Sequence, residues 1–195
     1  MSSLKLLHSG GNGVIIAAPS SNPASNRTIT VPGNADGEML TTTNPKTGNI
    51  LQVVSTTKTD TFTTSSTSKV DITGMSASIT PQSTSSKILV DVNLSYGGNN
   101  FNFYCDLLRG STVIGAPGSG NNNCTVSLCG ITNTTYQIFN SPILFLDSPS
   151  TTSATTYKLQ IDCQSGGEFF LNRSKRDSTA DSVCSSTISV MEVSA

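Results

Sequence analysis

From Lys87 to Tyr96 the chain alternates: Ile88, Val90, Val92, Leu94 and Tyr96 fall on one side, Asp91, Asn93 and Ser95 on the other. Successive side chains of an extended strand point to opposite faces, so this period of two predicts a strand with one buried face. The same period returns over residues 101–107. It returns again over 157–163, where Tyr157, Leu159, Ile161 and Cys163 make the apolar side. Shorter runs predict strands at residues 51–56, 60–64, 69–72, 77–80, 113–116, 125–128, 135–139, 143–146, 168–171 and 187–193. No segment keeps a 3.6-residue apolar period for three turns, so helix should be nearly absent. Turn-rich separators at residues 95–100, 109–112 and 118–123 favour antiparallel connections over helical crossovers. The fold class expected is therefore all-β, an antiparallel β-sandwich of jelly-roll-like form over residues 50–195, with a barrel as the competing topology.

The first 49 residues differ in kind. Leu4, Leu6 and Leu7, then Val14, Ile15, Ile16 and Ala17, then Thr28, Ile29, Thr30 and Val31 are apolar or β-branched patches separated by Gly, Asn, Pro and Ser. One copy of them is too sparse to enclose a core. Residues 1–49 are therefore expected to be a β-rich attachment or oligomerisation arm, either an ordered base completed by other copies or an arm that orders on attachment. The run from Gly13 to Ala18 is brief and ended by Pro19, so neither a signal peptide nor a membrane span is expected.

Composition sharpens the picture in two ways. Charged residues are only 12% of the chain and the net charge is -1, which gives no electrostatic case for a nucleic-acid partner. Ser and Thr number 31 and 27, yet β-branched and aromatic residues recur in alternating runs that a disordered linker would lack. Ser and Thr then read as the polar outer faces of strands. They suit faces turned to water or to a neighbouring subunit.

Candidate chemistry is thin. The single histidine, His8, lies in the N-terminal arm, and no Gly-x-Ser-x-Gly elbow is present. Gly10, Gly11, Asn12 and Gly13 lack the Lys-Ser/Thr ending of a phosphate loop and read as a turn. Asp60, Asp71, Asp91, Asp106, Asp147, Asp162, Asp177 and Asp181 are mostly isolated, without the dense oxygen ligands of a calcium loop. A metal at an oligomer axis or at Asp177 and Asp181 stands as a minor reading. No acidic pair suited to glycoside hydrolysis stands out. No catalytic, cofactor-binding or metal-binding residue is assigned, no cofactor is expected, and an enzyme is not expected.

Five cysteines, Cys105, Cys124, Cys129, Cys163 and Cys184, form no Cys-x-x-Cys pair, so the common zinc spacings are absent. Cys105 and Cys163 lie on apolar strand faces and read as buried thiols, with a disulfide left open. The densest charge lies at Asn172, Arg173, Ser174, Lys175, Arg176 and Asp177. It reads either as a binding surface for an acidic glycan or neighbouring subunit, or as a solvated loop with local ion pairs to Asp177 and Asp181.

Residues 26–40, from Asn26-Arg27-Thr28-Ile29-Thr30 to Glu38-Met39-Leu40, resemble segments of bacteriophage appendage proteins, especially those of marine phages. Residues 50–54, 59–62, 70–74, 76–80 and 85–90 resemble a C-terminal β-rich module of such virion proteins. Residues 108–112, 145–149, 156–158, 170–174 and 188–193 continue the order. The resemblance covers most of residues 26–195 and departs around Cys124 to Cys129, which read as a variable tip loop. It implies a non-enzymatic structural protein at the virion surface, a homotrimer serving as capsid decoration (cement) or head-fibre protein. Its partners would be the major capsid protein or other virion proteins, reached through the N-terminal segment, and a host-surface glycan, with neither nucleic acid nor membrane. The alternative is a tail-fibre or receptor-binding tip, with loops near Asn99 and Asn100 or Asn121, Asn122 and Asn123 meeting the host.

Overall fold

The computed structural model describes residues 3–7, 9–11, 13–17, 45–99, 101–118, 123–129, 136–176 and 181–195. His8, Asn12, residues 26–40, Asn100, Asn121, Asn122, Thr135 and Asp177 lie outside that set. The chain divides into two compact units, Met1–Met39 and Leu40–Ala195. In the first, β1 (Ser3–Leu7) pairs antiparallel with β2 (Gly13–Ala17), Leu4 opposite Ile16 and Leu6 opposite Val14. Gly11 takes a φ of 91° in the connection, a conformation that costs a residue without Cβ little.

The second unit contains β3 (Ile50–Lys58), β4 (Phe62–Thr64), β5 (Val70–Ile79), β6 (Lys87–Gly98), β7 (Asn102–Arg109) and β8 (Thr112–Ile114). It continues with β9 (Val126–Cys129), β10 (Phe139–Asp147), β11 (Thr155–Cys163), β12 (Phe169–Leu171) and β13 (Ser186–Val193). The first sheet is built on β6. Along one edge β6 pairs β13 and then β12, and along the other it pairs β10; β3 lies outside β13 and β4 outside β12. The second sheet runs β5, β11, β7, with β8 and β9 sharing the far edge of β7. Every pairing is antiparallel, and among the described residues no strand pairing joins the two sheets. The chain passes from sheet to sheet at β4 to β5, β5 to β6, β6 to β7, β9 to β10, β10 to β11 and β11 to β12. Such crossings wrap an antiparallel chain into a jelly-roll-like sandwich, and the expected fold class is the one that forms.

Alternation places the core. Ile88, Val90, Val92 and Leu94 of β6 and Ile188 and Val190 of β13 face Phe103, Cys105 and Leu107 of β7 and Tyr157, Leu159 and Ile161 of β11, all buried. Phe103 meets Phe169 edge-on with ring centroids 5.6 Å apart, and Phe169 stacks on Tyr96 at 5.9 Å, so aromatic contacts close one end of the core.

Some expected boundaries move, each for a local reason. Residues 69–72 and 77–80, expected as two strands, belong to one strand, β5. Its register against β11 shifts between Lys158 and Gln160, and Gly74 has a φ of 85° there, so the glycine marks a bulge. Residues 143–146 extend into the nine-residue β10, which passes through Pro142. Proline offers no N–H to a ladder, and among the described residues β10 is an edge strand paired only with β6. Gly97 and Gly98, expected in a turn, extend β6. A Cβ on Gly98 would come within 2.3 Å of the Phe103 ring, so the strand continues only because that side chain is missing.

Candidate functional site

The carboxylates singled out in the sequence are mostly occupied by neighbouring side chains. Asp147, buried at the end of β10, holds the two sheets together. Arg109 Nη1 of β7 donates to both its oxygens at 2.9 Å, and the buried Tyr157 hydroxyl of β11 donates to Oδ2 at 2.7 Å. Burial, then the bond to this carboxylate, raises the Tyr157 pKa. The hydroxyl therefore stays protonated and keeps donating.

On the outer face of the second sheet, Lys69 Nζ lies 3.0 Å from Asp106 and 2.8 Å from Asp162, and donates to the Tyr104 carbonyl at 2.8 Å. Asp162 Oδ1 is held by charge rather than by an aligned hydrogen bond. Burial alone would lower the Lys69 pKa, but the two carboxylates outweigh it and the pKa stands raised. Asp71 accepts from Lys158 at 2.8 Å and from Gln160 at 2.7 Å, and these bonds lower its pKa. Asp60 accepts from Lys58 at 2.7 Å, with the same effect. Among the described residues no group of three or more His, Cys, Asp or Glu is placed to hold a metal ion.

The cationic segment is brought together with local partners. Arg173 sits 4.4 Å from the centroid of the Phe170 ring and donates to the Thr63 hydroxyl at 3.1 Å. Lys175 pairs with Glu168 at 3.2 Å, while Arg176 pairs with Asp181 and covers the Tyr136 ring at 4.3 Å. Glu168 and Asp181 thus balance part of its charge. None of the five cysteines is joined to another, with Cys105 and Cys163 buried and Cys129 exposed. Burial raises the pKa of both buried thiols.

Two polar residues, Asn172, expected only as part of the charged segment, and Glu192, not singled out, anchor the sandwich. Asn172 is fully buried at a φ of 63°. Its side-chain amide donates to the carbonyls of Lys58 and Asp60 at 2.8 and 2.9 Å, and its side-chain oxygen accepts from the Ser186 hydroxyl at 2.7 Å. Glu192, also fully buried, accepts from Gln52 at 2.6 Å and from the Gln82 N–H at 2.7 Å. Burial alone would raise its pKa, but bonds from Gln52, Ser86 and the backbone of Gln82 and Ser83 outweigh it and the pKa is lowered. Glu192 sits among core positions in the alternation of β13, and a lone acid there was the only available signal.

A half-open hollow of about 220 Å³ beside β10 is lined by Gly115, Thr125, Val126, Pro142, Ile143 and Phe145 among others. It is smaller than the roughly 300–1,000 Å³ of small-molecule sites. The larger features are the outer sheet faces. That of the second sheet is mainly hydroxyl and charged, carrying Ser76, Ser78, Thr156, Lys158 and Gln160. That of the first sheet is apolar in part.

The fold and these surfaces define an antiparallel β-sandwich with one polar and one partly apolar outer face. No protein-family model and no curated protein matches the chain. Among solved structures, it overlays one of infectious bursal disease virus, Gt strain, at a TM-score of 0.40 and 15% identity, covering 95% of this chain and 48% of that one. A crystal structure of the VP2 subviral particle of the same virus gives 0.40 and 11% over 94% and 48%. The Gx strain gives 0.32 and 14% over 94% and 47%. The chain spans about half the length of those it overlays. Overlaps this loose leave the fold to rest on its own strands and registers.

Proposed function

We propose that the chain is a non-enzymatic structural protein of a phage virion, a homotrimeric capsid decoration or head-fibre protein at the virion surface. Residues 1–49 attach it to the major capsid protein or another virion protein, and the β-sandwich is the exposed body. The observation that carries this reading is the ordered set of virion-like segments. Those at 108–112, 156–158, 170–174 and 188–193 fall on strands or tight connections of one sandwich. The hydroxyl-rich outer faces of that sandwich suit exposure without catalysis. Low charge also removes much of the repulsion that would oppose packing many copies on one shell.

Antibody-gold labelling of intact particles tests the reading. Label distributed over the head is the expected result. Label confined to the tail would overturn decoration in favour of a receptor-binding tip, and absence from purified particles would overturn both.

A further inference from the structure

The outer face of the first sheet carries a row of apolar side chains that only the strand registers reveal. Met191 of β13 lies opposite Val53 of β3 on one side and Leu89 of β6 on the other, and Leu89 lies opposite Leu146 of β10. Four neighbouring strands thus present Val53, Met191, Leu89 and Leu146 side by side. Val193 extends the patch on one side of the row and Leu144 on the other, with Ile50 opposite Val193. The residues at the two edges are the most exposed: Ile50 57% and Val53 56% on β3, Leu144 69% and Leu146 54% on β10. Beyond the row the face turns polar, through Ser55, Ser189 and Asp91 to Thr57, Thr187 and Asn93. The two apolar rows across the four strands, with Leu144, cover on the order of 300 Å² in projection. Contiguous exposed apolar patches of a few hundred Å² mark interaction sites.

The charges of the face indicate what covers it. Only Lys87 and Asp91 are charged among the outward residues of β3, β13, β6 and β10, and they sit two positions either side of Leu89 with opposite sign. Over these four strands the face is neutral. A partner of one strong sign would gain little here, whereas an identical face brings no net charge of either sign to the contact. Apolar side chains at both edges also allow the β10 edge of one copy to meet the β3 edge of the next, a head-to-tail contact that forms a ring where the rotation closes.

The geometry points to this face as the contact between copies of the chain, three of them turning the row of Val53, Met191, Leu89 and Leu146 towards a shared axis. The assignment rests on the homotrimer of the proposed function and names the surface that makes it. The N-terminal arm is then not the sole source of assembly.

Light scattering on the purified full chain at micromolar concentration, with two variants, tests the assignment. The double variant Val53→Glu/Leu146→Glu places charges where side chains are already exposed in a single copy, so the core is untouched. It should weaken self-association at least about 100-fold, because the charges would be buried unpaired in the contact. Ser76→Glu, on the outer face of the second sheet, should leave the trimer intact. A trimer that survives the double variant overturns the face while leaving the trimer standing. A wild-type monomer overturns both. Should the double variant fail to fold, p-benzoylphenylalanine in place of Leu146 supplies the second measurement. Photocrosslinks to residues 50–58 of another copy are expected, and crosslinks within one chain only would overturn the assignment.

Discussion

Asp147 shows how a residue that reads as isolated in the sequence can hold two sheets. Its partners Arg109 and Tyr157 are 38 and 10 positions away, and only the packing of β10 over β7 and β11 joins them. Asp147→Asn keeps the volume, removes the charge facing Arg109 and should cost about 2–3 kcal/mol in urea unfolding, whereas a surface control such as Ser78→Ala should change little. Glu192 makes a prediction with a sign. Its folded pKa lies below the ordinary 4.5, so the folded state favours the carboxylate. Its contribution is fully present above that value and is lost as pH falls from 4.5 through the lower folded pKa. Unfolding midpoints should therefore drop on acidification across that window, and Glu192→Gln should flatten the drop; an equal slope in both proteins would refute the role given to Glu192. The thiols are likewise graded by burial: Cys129 should react with maleimide in the native protein, Cys105 and Cys163 only in denaturant, where all five should react. The sequence foretold the buried pair from alternation. It could not foretell Asn172, whose buried amide is satisfied by chain segments more than 100 residues away.

At the scale of elements, strand positions were largely legible because alternation is a local property. Residues 87–96, 157–163 and 187–193 lie within strands of the sandwich, and the expected apolar faces of the first two turn inward. Legibility failed where Gly or Pro carries a role set by a distant neighbour. Gly98 reads as a turn residue, but the ring of Phe103 fills the space its Cβ would take. Gly98→Ala should therefore destabilise by about 1–3 kcal/mol through overpacking, measured in urea. A milder effect than at Gly118, where nothing lies within 4 Å of the added Cβ, would refute this. Pro142 has no N–H to give a ladder, yet an edge position tolerates it.

At the scale of the whole molecule, two packed sheets were expected, but which strands join which sheet was not legible, because it depends on pairings between distant strands. The apolar row of the first sheet was hidden for a related reason. Leu144 and Leu146 interleave with Ile143 and Phe145, so the segment reads as one apolar run, and only its register on β6 assigns alternate members to opposite faces. The same ambiguity covered Leu89 between Ile88 and Val90. The resemblance to virion proteins supplied a direction for function that composition alone, with its hydroxyl excess and near-neutral charge, could not. A reconstruction of the intact particle tests that direction together with the proposed surface. Copies at fixed positions on the shell, grouped in threes with Met191 and Leu89 turned to their common axis, are the predicted result. Density confined to the tail, or shell-bound copies with that face open to solvent, would contradict it.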